Sequence, residues 1–435
     1  MILNKIARTC KKFQQRYKMR IDRDKYLNEL ISKMHNKMIK IITGIRRCGK
    51  SYLLNEIFFD YLISLGVNED HIIRISLEDL ENEYLTDAYV LNDYVKSLIK
   101  DDQMYYLIVD EIQQVDRFVP LLNGWLKIKN LDVYVSGSNS RFLSKDVITE
   151  FRGRGDEIYV SPLTFKEYYG ARRKDFDTAW NEYIIYGGMP FVLARRTNEQ
   201  KSKYLKDLFN EIYIKDIKER YGIRNDSQLE TLLNIVSSSI GSLTNPSKIE
   251  HTFKSVKQET LSRNTIESYL DILEDTFLIK KSNRYDIKGR KYINTPSKYY
   301  FVDMGLRNAR LNFRQLEDTH MMENIIYNEL INRGYNVDIG VVEVSEKNEN
   351  GNYVRKSLEI DFVANITNDK IYIQSAYHLP NGEKVRQEIR PFLNVDDSFR
   401  KFIIVRDNID VRKDDYGITT IGLKHFLLND DPFRI

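Results

Sequence analysis

The chain has 435 residues, 42% of them hydrophobic, which is enough to bury about two to four separate cores and excludes a disordered chain. Its 67 basic residues nearly balance 63 acidic ones, for a net charge of +4, so the total charge by itself points to no polyanionic partner. Two cysteines, Cys10 and Cys48, exclude a disulfide framework, and no apolar run approaches the ~20 residues of a membrane span, so a soluble, cytoplasmic protein with no membrane partner and no secretory signal is predicted.

Residues 1–21 read as a basic N-terminal arm. Lys5, Arg8, Lys11, Lys12, Arg16, Lys18 and Arg20 occur without one acid, a pattern that suits a solvated helix, or else an arm for nucleic acid or an anionic surface.

From residue 22 to 160 the pattern alternates between short apolar strands and helical stretches, which predicts an α/β core with a parallel sheet and helices on both faces. The strand Met38–Ile42 runs into Gly44, Ile45, Arg46, Arg47, Cys48, Gly49, Lys50 and Ser51, a complete G-x-x-x-x-G-K-[ST] phosphate loop. Its glycines let backbone N–H groups curl around phosphate oxygens, and the helix that opens at Lys50 adds its positive end. Lys50 is expected to reach the β- and γ-phosphates, Ser51 to ligate Mg²⁺, and Tyr52 to close the nucleotide-binding stretch. Cys48 reads as a small filler because no histidine lies near it in sequence.

Tyr105–Asp110 is an apolar strand that ends in two carboxylates, Asp110 and Glu111, in the manner of a Walker B segment. Asp110 is expected to hold Mg²⁺ through its water shell, and Glu111 to orient and deprotonate the attacking water. After the next strand, Val133–Ser136, either Ser138 or Asn139 is a candidate sensor of the γ-phosphate, although such clusters also make ordinary turns. Arg152 and Arg154 are candidate arginine fingers, acting in cis or across a subunit boundary, or else a solvated basic loop.

Residues 161–225 read as a helical lid or connector, with Tyr186–Pro190 as a turn and one long helix over Tyr204–Arg220. Residues 226–310 read as a winged helix-turn-helix. Three helices are expected at Leu229–Ile240, Pro246–Phe253 and Asn264–Leu273, the last capped by the Asn264/Glu267 pair. Two strands around Phe277–Lys281 and Ser297–Asp303 flank a basic wing. Lys288, Arg290 and Lys291 in that wing could follow a phosphate backbone while Arg263 approaches base edges, and packing between domains is the alternative use.

Residues 311–435 read as an α/β tail. A helix carrying Glu323 and ending at Gly334 precedes two paired strands, Glu359–Val363 and Ile371–Tyr377, joined by a tight Asn-Asp turn. Glu323, Asp361 and Gln374 then form the constellation with which restriction-endonuclease-like domains bind Mg²⁺. Such nucleases carry Glu-x-Lys where this chain has Gln374-Ser375-Ala376, which removes a metal carboxylate and a transition-state lysine. A vestigial nuclease site is therefore expected, with Lys384 as a cation that could swing in.

Taken together, the phosphate loop, Asp110-Glu111-Ile112-Gln113, Ser136-Gly137-Ser138, Lys298 to Leu306 and Ile360 to Val363 resemble the prokaryotic AAA-type ATPases that end in a domain of unknown function, over about Met19 to Leu428. The resemblance implies an ATP-binding core, a winged helix and a restriction-endonuclease-like tail. It also implies adenine over guanine, since no Asn-Lys-x-Asp motif follows the core. The expected function is Mg²⁺-dependent ATP hydrolysis that controls the C-terminal module against DNA, a protein partner or further copies of the chain. A nucleotide-gated scaffold with negligible turnover, and an ATP-driven metal-dependent nuclease, are the alternatives.

Overall fold

The computed structural model describes residues 20–137, 153–172, 174–223, 226–257, 261–347, 351–380 and 382–434. The basic arm up to residue 19, Ser138, Asn139 and Arg152 lie outside the described residues.

Five parallel strands, β1 (Ile39–Thr43), β2 (Ile72–Ser76), β3 (Tyr105–Asp110), β4 (Leu131–Ser136) and β5 (Gly155–Tyr159), form the first sheet in the order β2-β3-β4-β1-β5. Every residue of β1, β3 and β4 is buried, which is why these strands read as unbroken apolar runs rather than alternating ones. One face is covered by α1 (Asp24–Ser32) and by the helix that follows the phosphate loop, α2, which begins at Lys50–Tyr52, passes through a π-helical stretch at Leu53–Phe58 and continues over Phe59–Ser64. The other face is covered by α3 (Ala88–Leu98) and α4 (Phe118–Trp125) through Leu91, Val95, Leu122 and Trp125.

The connector consists of α5 (Phe165–Arg172), α6 (Phe176–Tyr186) and α7 (Asn198–Asp207). The expected long helix is interrupted, because α7 runs into a π-helical stretch at Leu208–Ile214 before α-helix resumes at Lys215–Tyr221. The three helices that follow are α8 (Asp226–Ser238), α9 (Pro246–Lys257) and α10 (Arg263–Asp275). The cap of α10 is Ser262, whose hydroxyl accepts from Thr265 N at 3.2 Å, so the Asn264/Glu267 pair lies two residues too far along the chain to cap it.

The expected wing is part of a larger sheet. β6 (Ile279–Asp286) pairs antiparallel with β7 (Lys291–Phe301), and β6 also pairs in parallel with β8 (Asn336–Lys347), Arg284 lying opposite Ile339. With β9 (Tyr353–Ile366), β10 (Asp369–Ala376), β11 (Arg400–Val405), β12 (Arg412–Lys413) and β13 (Thr419–Gly422) they make one eight-stranded sheet, β12-β13-β11-β10-β9-β8-β6-β7. A domain boundary at residue 310 would cut through that sheet. The edge position of β7 explains how the strand tolerates Pro296, which has no N–H to give a further neighbour. The turn between β9 and β10 is Thr367-Asn368, since Asp369 is already paired with Ile366, one residue earlier than the expected Asn-Asp turn.

Helix α11 (Met304–Arg310) follows β7, and α12 (Asp318–Asn332) covers one face of the large sheet together with α14 (Leu423–Leu428). Helix α13 (Gly382–Leu393) covers the other through Ile389 and Phe392. A single core runs from Tyr26 in α1 through Phe58, Trp180, Phe209 and Tyr300 to Phe433, so the phosphate-loop side of the small sheet and the α12 side of the large one share one interior. Because Ser262 supplies the cap of α10, Ser262→Ala should lower the unfolding free energy by about 1 kcal/mol, read as a shifted urea midpoint at constant slope. Asn264→Ala should change little, and the opposite pattern would return the cap to Asn264.

Candidate nucleotide site and a buried ionic cluster

The phosphate loop leaves the fully buried β1 and turns at once, with Gly44 at φ +136° and Gly49 at φ +106°. A Cβ on Gly44 would sit 2.1 Å from the carbonyl oxygen of Val160, so only glycine fits there. Lys50 Nζ donates to the Gly44 and Ile45 carbonyls at 3.0 and 3.3 Å, and its side chain is buried in the loop. Cys48 Sγ donates to Val160 O at 3.2 Å, a filler as expected. Ser51 is exposed at the helix start, Arg46 pairs with Glu78 at 2.8 Å, and Tyr52 Oη accepts from Ile21 N at 3.3 Å.

Strand β4 lies between β1 and β3, so the phosphate loop and the acidic strand end are two strand spacings apart, about 10 Å. That gap suits a serine hydroxyl, a small hydrated cation and a carboxylate in line. Ser136, at the end of β4, binds both acidic residues: its Oγ donates to Asp110 Oδ1 and accepts from Glu111 N at 3.2 Å. Sequence reasoning assigned Ser136 no role, and its sensor candidates, Ser138 and Asn139, lie outside the described residues. The signal it passed over is the hydroxyl that ends β4 beside the carboxylates. Glu111 lies beyond the strand end at φ +57°, a conformation that costs energy for a residue with a Cβ, and Gln113 Nε2 donates to its Oε2.

Arg154 is not placed to act on its own chain's phosphate loop. Its carbonyl accepts from Ile39 N at 2.9 Å and its guanidinium donates to Asn123 at 3.2 Å, at the N-terminal ends of β1 and β5. The loop leaves the opposite end of these parallel strands, about 16 Å away.

The connector closes on the loop in a way the sequence did not disclose. Tyr213 Oη donates to the Arg46 carbonyl at 2.6 Å, and Pro190 lies against Gly49. The stretch Gly187–Pro190, read only as a turn, is itself held from the far half of the chain: Gly188 N donates to Asp303 Oδ2 at 2.6 Å. Asp303 also caps α11, its Oδ1 accepting from Leu306 N at 3.0 Å. Burial pushes its carboxyl up to about 6, against the pull of the backbone N–H groups that favour the charged form.

In the C-terminal sheet Glu323 and Asp361 do come together, but around a cation that sequence reasoning had assigned to the wing. Lys298 of β7, 3% exposed, places Nζ 2.8 Å from Glu323 and 2.8 Å from Glu359. Tyr300 Oη donates to Glu323 at 2.7 Å. Although burial opposes it, the surrounding carboxylates hold the Lys298 ammonium well above its ordinary range. Burial also opposes ionisation of Glu323, yet Lys298 keeps its carboxyl below the usual value, whereas burial and the charge of Glu323 push Asp361 well up. Gln374 does not join the carboxylates as expected: its Oε1 accepts from the backbone N of Asp361 at 3.3 Å, beside a register shift between β8 and β9. Lys384 pairs with Glu388 on its own helix at 2.6 Å. Among the described residues no group of three His, Cys, Asp or Glu side chains could hold a metal ion.

Of the expected nucleic-acid contacts, Lys288, Arg290 and Lys291 lie together at the turn between β6 and β7 and are exposed. Arg263 lies apart from them at the start of α10, with Nε 2.9 Å from Glu250. The ionic cluster gives a clear expectation. Lys298→Met should leave Glu323 and Glu359 without their cation and cost about 3–5 kcal/mol by urea unfolding, whereas Lys298→Met with Glu323→Gln should recover part of the loss. Equal stability of the single variant and the wild type would deny the cluster its structural role.

Residues 36–169 match the AAA domain family, and residues 177–317 match a domain of unknown function, DUF8612, which takes in nearly all of α6 and then α7–α10, β6–β7 and α11, leaving α5 outside. An uncharacterized protein of Haemophilus influenzae is 33% identical over 417 residues, 94% of this chain and 99% of its own. The uncharacterized protein MJ1544 of Methanocaldococcus jannaschii is 30% identical over 369 residues, 80% of this chain and 77% of its own. Among solved structures, the Walker-type ATPase PABY2304 of Pyrococcus abyssi aligns with 67% of this chain and 96% of its own at 15% identity and a TM-score of 0.49, a likeness too loose to add to the reading. Among the described residues no helix is long and apolar enough to cross a membrane. With the Haemophilus influenzae protein matched along nearly its whole length and the phosphate loop inside a matched AAA domain, the chain belongs to the same family as these bacterial and archaeal proteins and carries an AAA-type ATPase domain.

Proposed function

We propose that the protein binds ATP with Mg²⁺ at Gly44–Tyr52, hydrolyses it, and uses the nucleotide state to control the C-terminal sheet and its basic edge against DNA. The observation that carries the hydrolytic part is the pair Asp110–Glu111, bound through Ser136 at the strand ends that face the loop. The Ser51 hydroxyl and the Asp110 carboxylate are the all-oxygen donors that a small hard cation takes, and Mg²⁺ held there neutralises charge on the β- and γ-phosphate oxygens. The loop N–H groups and Lys50 position the phosphates. Glu111 orients a water in line with the γ-phosphorus and accepts its proton.

Support for control of the C-terminal part comes from the chain Gly49–Pro190, Gly188–Asp303 and on into β7, which joins the loop to the large sheet. Support for DNA is the exposed Lys288, Arg290 and Lys291 on the sheet edge, where cations at a turn can follow phosphates. Cleavage by the C-terminal cluster is disfavoured, because Lys298 takes up the two glutamates and Gln374 is turned to the backbone. The second reading, a nucleotide-gated scaffold with negligible turnover, rests on the hydrogen bond that Gln113 makes to the Glu111 carboxylate.

Steady-state ATP hydrolysis by the purified chain with Mg²⁺, with and without linear duplex DNA, separates these readings. Lys50→Ala should lose nucleotide binding, whereas Glu111→Gln should keep it and lose at least about 100-fold in turnover. Wild-type turnover in Glu111→Gln would remove the assigned base. Tight retention with no wild-type turnover would select the scaffold, and a rate indifferent to DNA would remove DNA from the account.

A further inference from the structure

On the α3 face of the ATPase sheet, Leu77–Tyr94 carries Glu78, Asp79, Glu81, Glu83, Asp87 and Asp93 and not one basic residue. All six carboxylates are exposed. Among them stand large apolar side chains in the open: Leu80 is 83% exposed, Tyr89 68%, Tyr84 57% and Val90 42%. The segment is firmly seated, since Leu85, Leu91 and Val95 enter the core beneath the sheet and Asp87 caps α3 by accepting from Tyr89 N at 2.8 Å and Val90 N at 3.0 Å. An ordered surface that presents aromatic rings between carboxylates repels nucleic acid and favours a cationic chain whose alkyl stems can lie on the rings.

The sequence contains such a chain. The first twenty residues hold seven basic side chains and no acid, with Ile2, Leu3, Ile6, Phe13 and Tyr17 spaced between them. That arm leaves the described fold at Arg20, which pairs with Asp60 of α2 at 3.4 Å. Helix α2 packs on one face of the five-stranded sheet and α3 on the other, so the root of the arm and the acidic surface lie on opposite faces of the same sheet. Two distinct, complementary surfaces are what a head-to-tail contact between copies requires.

We propose that the acidic, aromatic surface at Leu77–Tyr94 is the docking site for the basic N-terminal arm of a second copy of this chain, which assembles the protein head to tail. The surface adjoins the nucleotide site, because Glu78 pairs with Arg46 of the phosphate loop at 2.8 Å. Arm binding and the phosphate loop therefore share a carboxylate.

The test uses two full-length variants and sedimentation velocity at low and high salt. One variant reverses the arm (Lys11→Glu, Lys12→Glu, Arg16→Glu), and the other reverses the surface at exposed positions outside the cap (Glu81→Lys, Glu83→Lys, Asp93→Lys). Wild type should self-associate at low salt and dissociate as salt screens the contact. Each variant alone should be monomeric. An equimolar mixture should form a heterodimer, since the intact arm of one meets the intact surface of the other. Circular dichroism and urea unfolding of each variant confirm that the monomers are folded. A monomeric wild type at low salt, a surface variant that still assembles, or a mixture that stays monomeric would overturn the proposal.

Discussion

Much of this molecule depends on one buried carboxylate meeting one glycine loop. Asp303 accepts from Gly188 N at 2.6 Å, and both partners are shaped for the approach. A Cβ on Gly188 would sit 2.1 Å from the Leu163 carbonyl oxygen, and one on Gly305 would sit 2.1 Å from that of Tyr186. A charge buried this deeply is costly unless it is fully hydrogen-bonded, and the N–H groups of Gly188, Gly305 and Leu306 supply those bonds. The contact joins a loop that packs on the phosphate-binding Gly49 to the end of β7, five residues beyond Lys298. Asn308, in the next turn, reinforces it by donating to the Ile184 and Ile185 carbonyls at 3.2 and 2.9 Å. The nucleotide site and the ionic cluster of the large sheet are thereby tied to the two ends of one short segment.

That arrangement gives Lys298 a different meaning from the one its neighbours in sequence suggest. Between Lys280 and Lys298 basic residues are so frequent that the whole stretch reads as a solvated wing. In the folded chain the side chains part company: Lys288, Arg290 and Lys291 stay at the turn, whereas Lys298 points inward and compensates Glu323 and Glu359. A buried ion pair adds little net stability compared with apolar packing, but removing one partner is expensive, so such a cluster fixes how β7, β9 and α12 fit together. The expected nuclease constellation was therefore half legible. Glu323 and Asp361 are neighbours as the spacing suggested, but no reading of spacing could show that a lysine sixty-three residues before Asp361 would stand among them.

Legibility followed the range of the interactions involved. The phosphate loop, the acidic strand end and the strands of the small sheet are local signals, and their limits were read to within about two residues. Ser262 was missed as the α10 cap because the Asn264/Glu267 pair offered the same spacing two residues later. The continuation of the wing strands into a larger sheet was not legible because the neighbour β8 lies some fifty residues on, and parallel pairing leaves no turn signal. Arg154 was a plausible finger in sequence, but parallel registration with β1 puts it at the end of the sheet away from its own chain's phosphate loop, which leaves the action across a subunit boundary as its remaining reading.

The proposed nucleotide control of the C-terminal sheet runs from the loop at Gly44–Ser51 to the β7–α11 segment through Gly188 and Asp303. Hydrogen exchange of the full chain tests it most directly, with and without Mg²⁺ and a non-hydrolysable ATP analogue, and with Lys50→Ala as the blank. The account predicts nucleotide-dependent protection at residues 44–51 that extends to 187–190 and 303–308 and is absent in the blank. Protection confined to residues 44–51 would contradict it, leaving the C-terminal sheet uncoupled from the nucleotide.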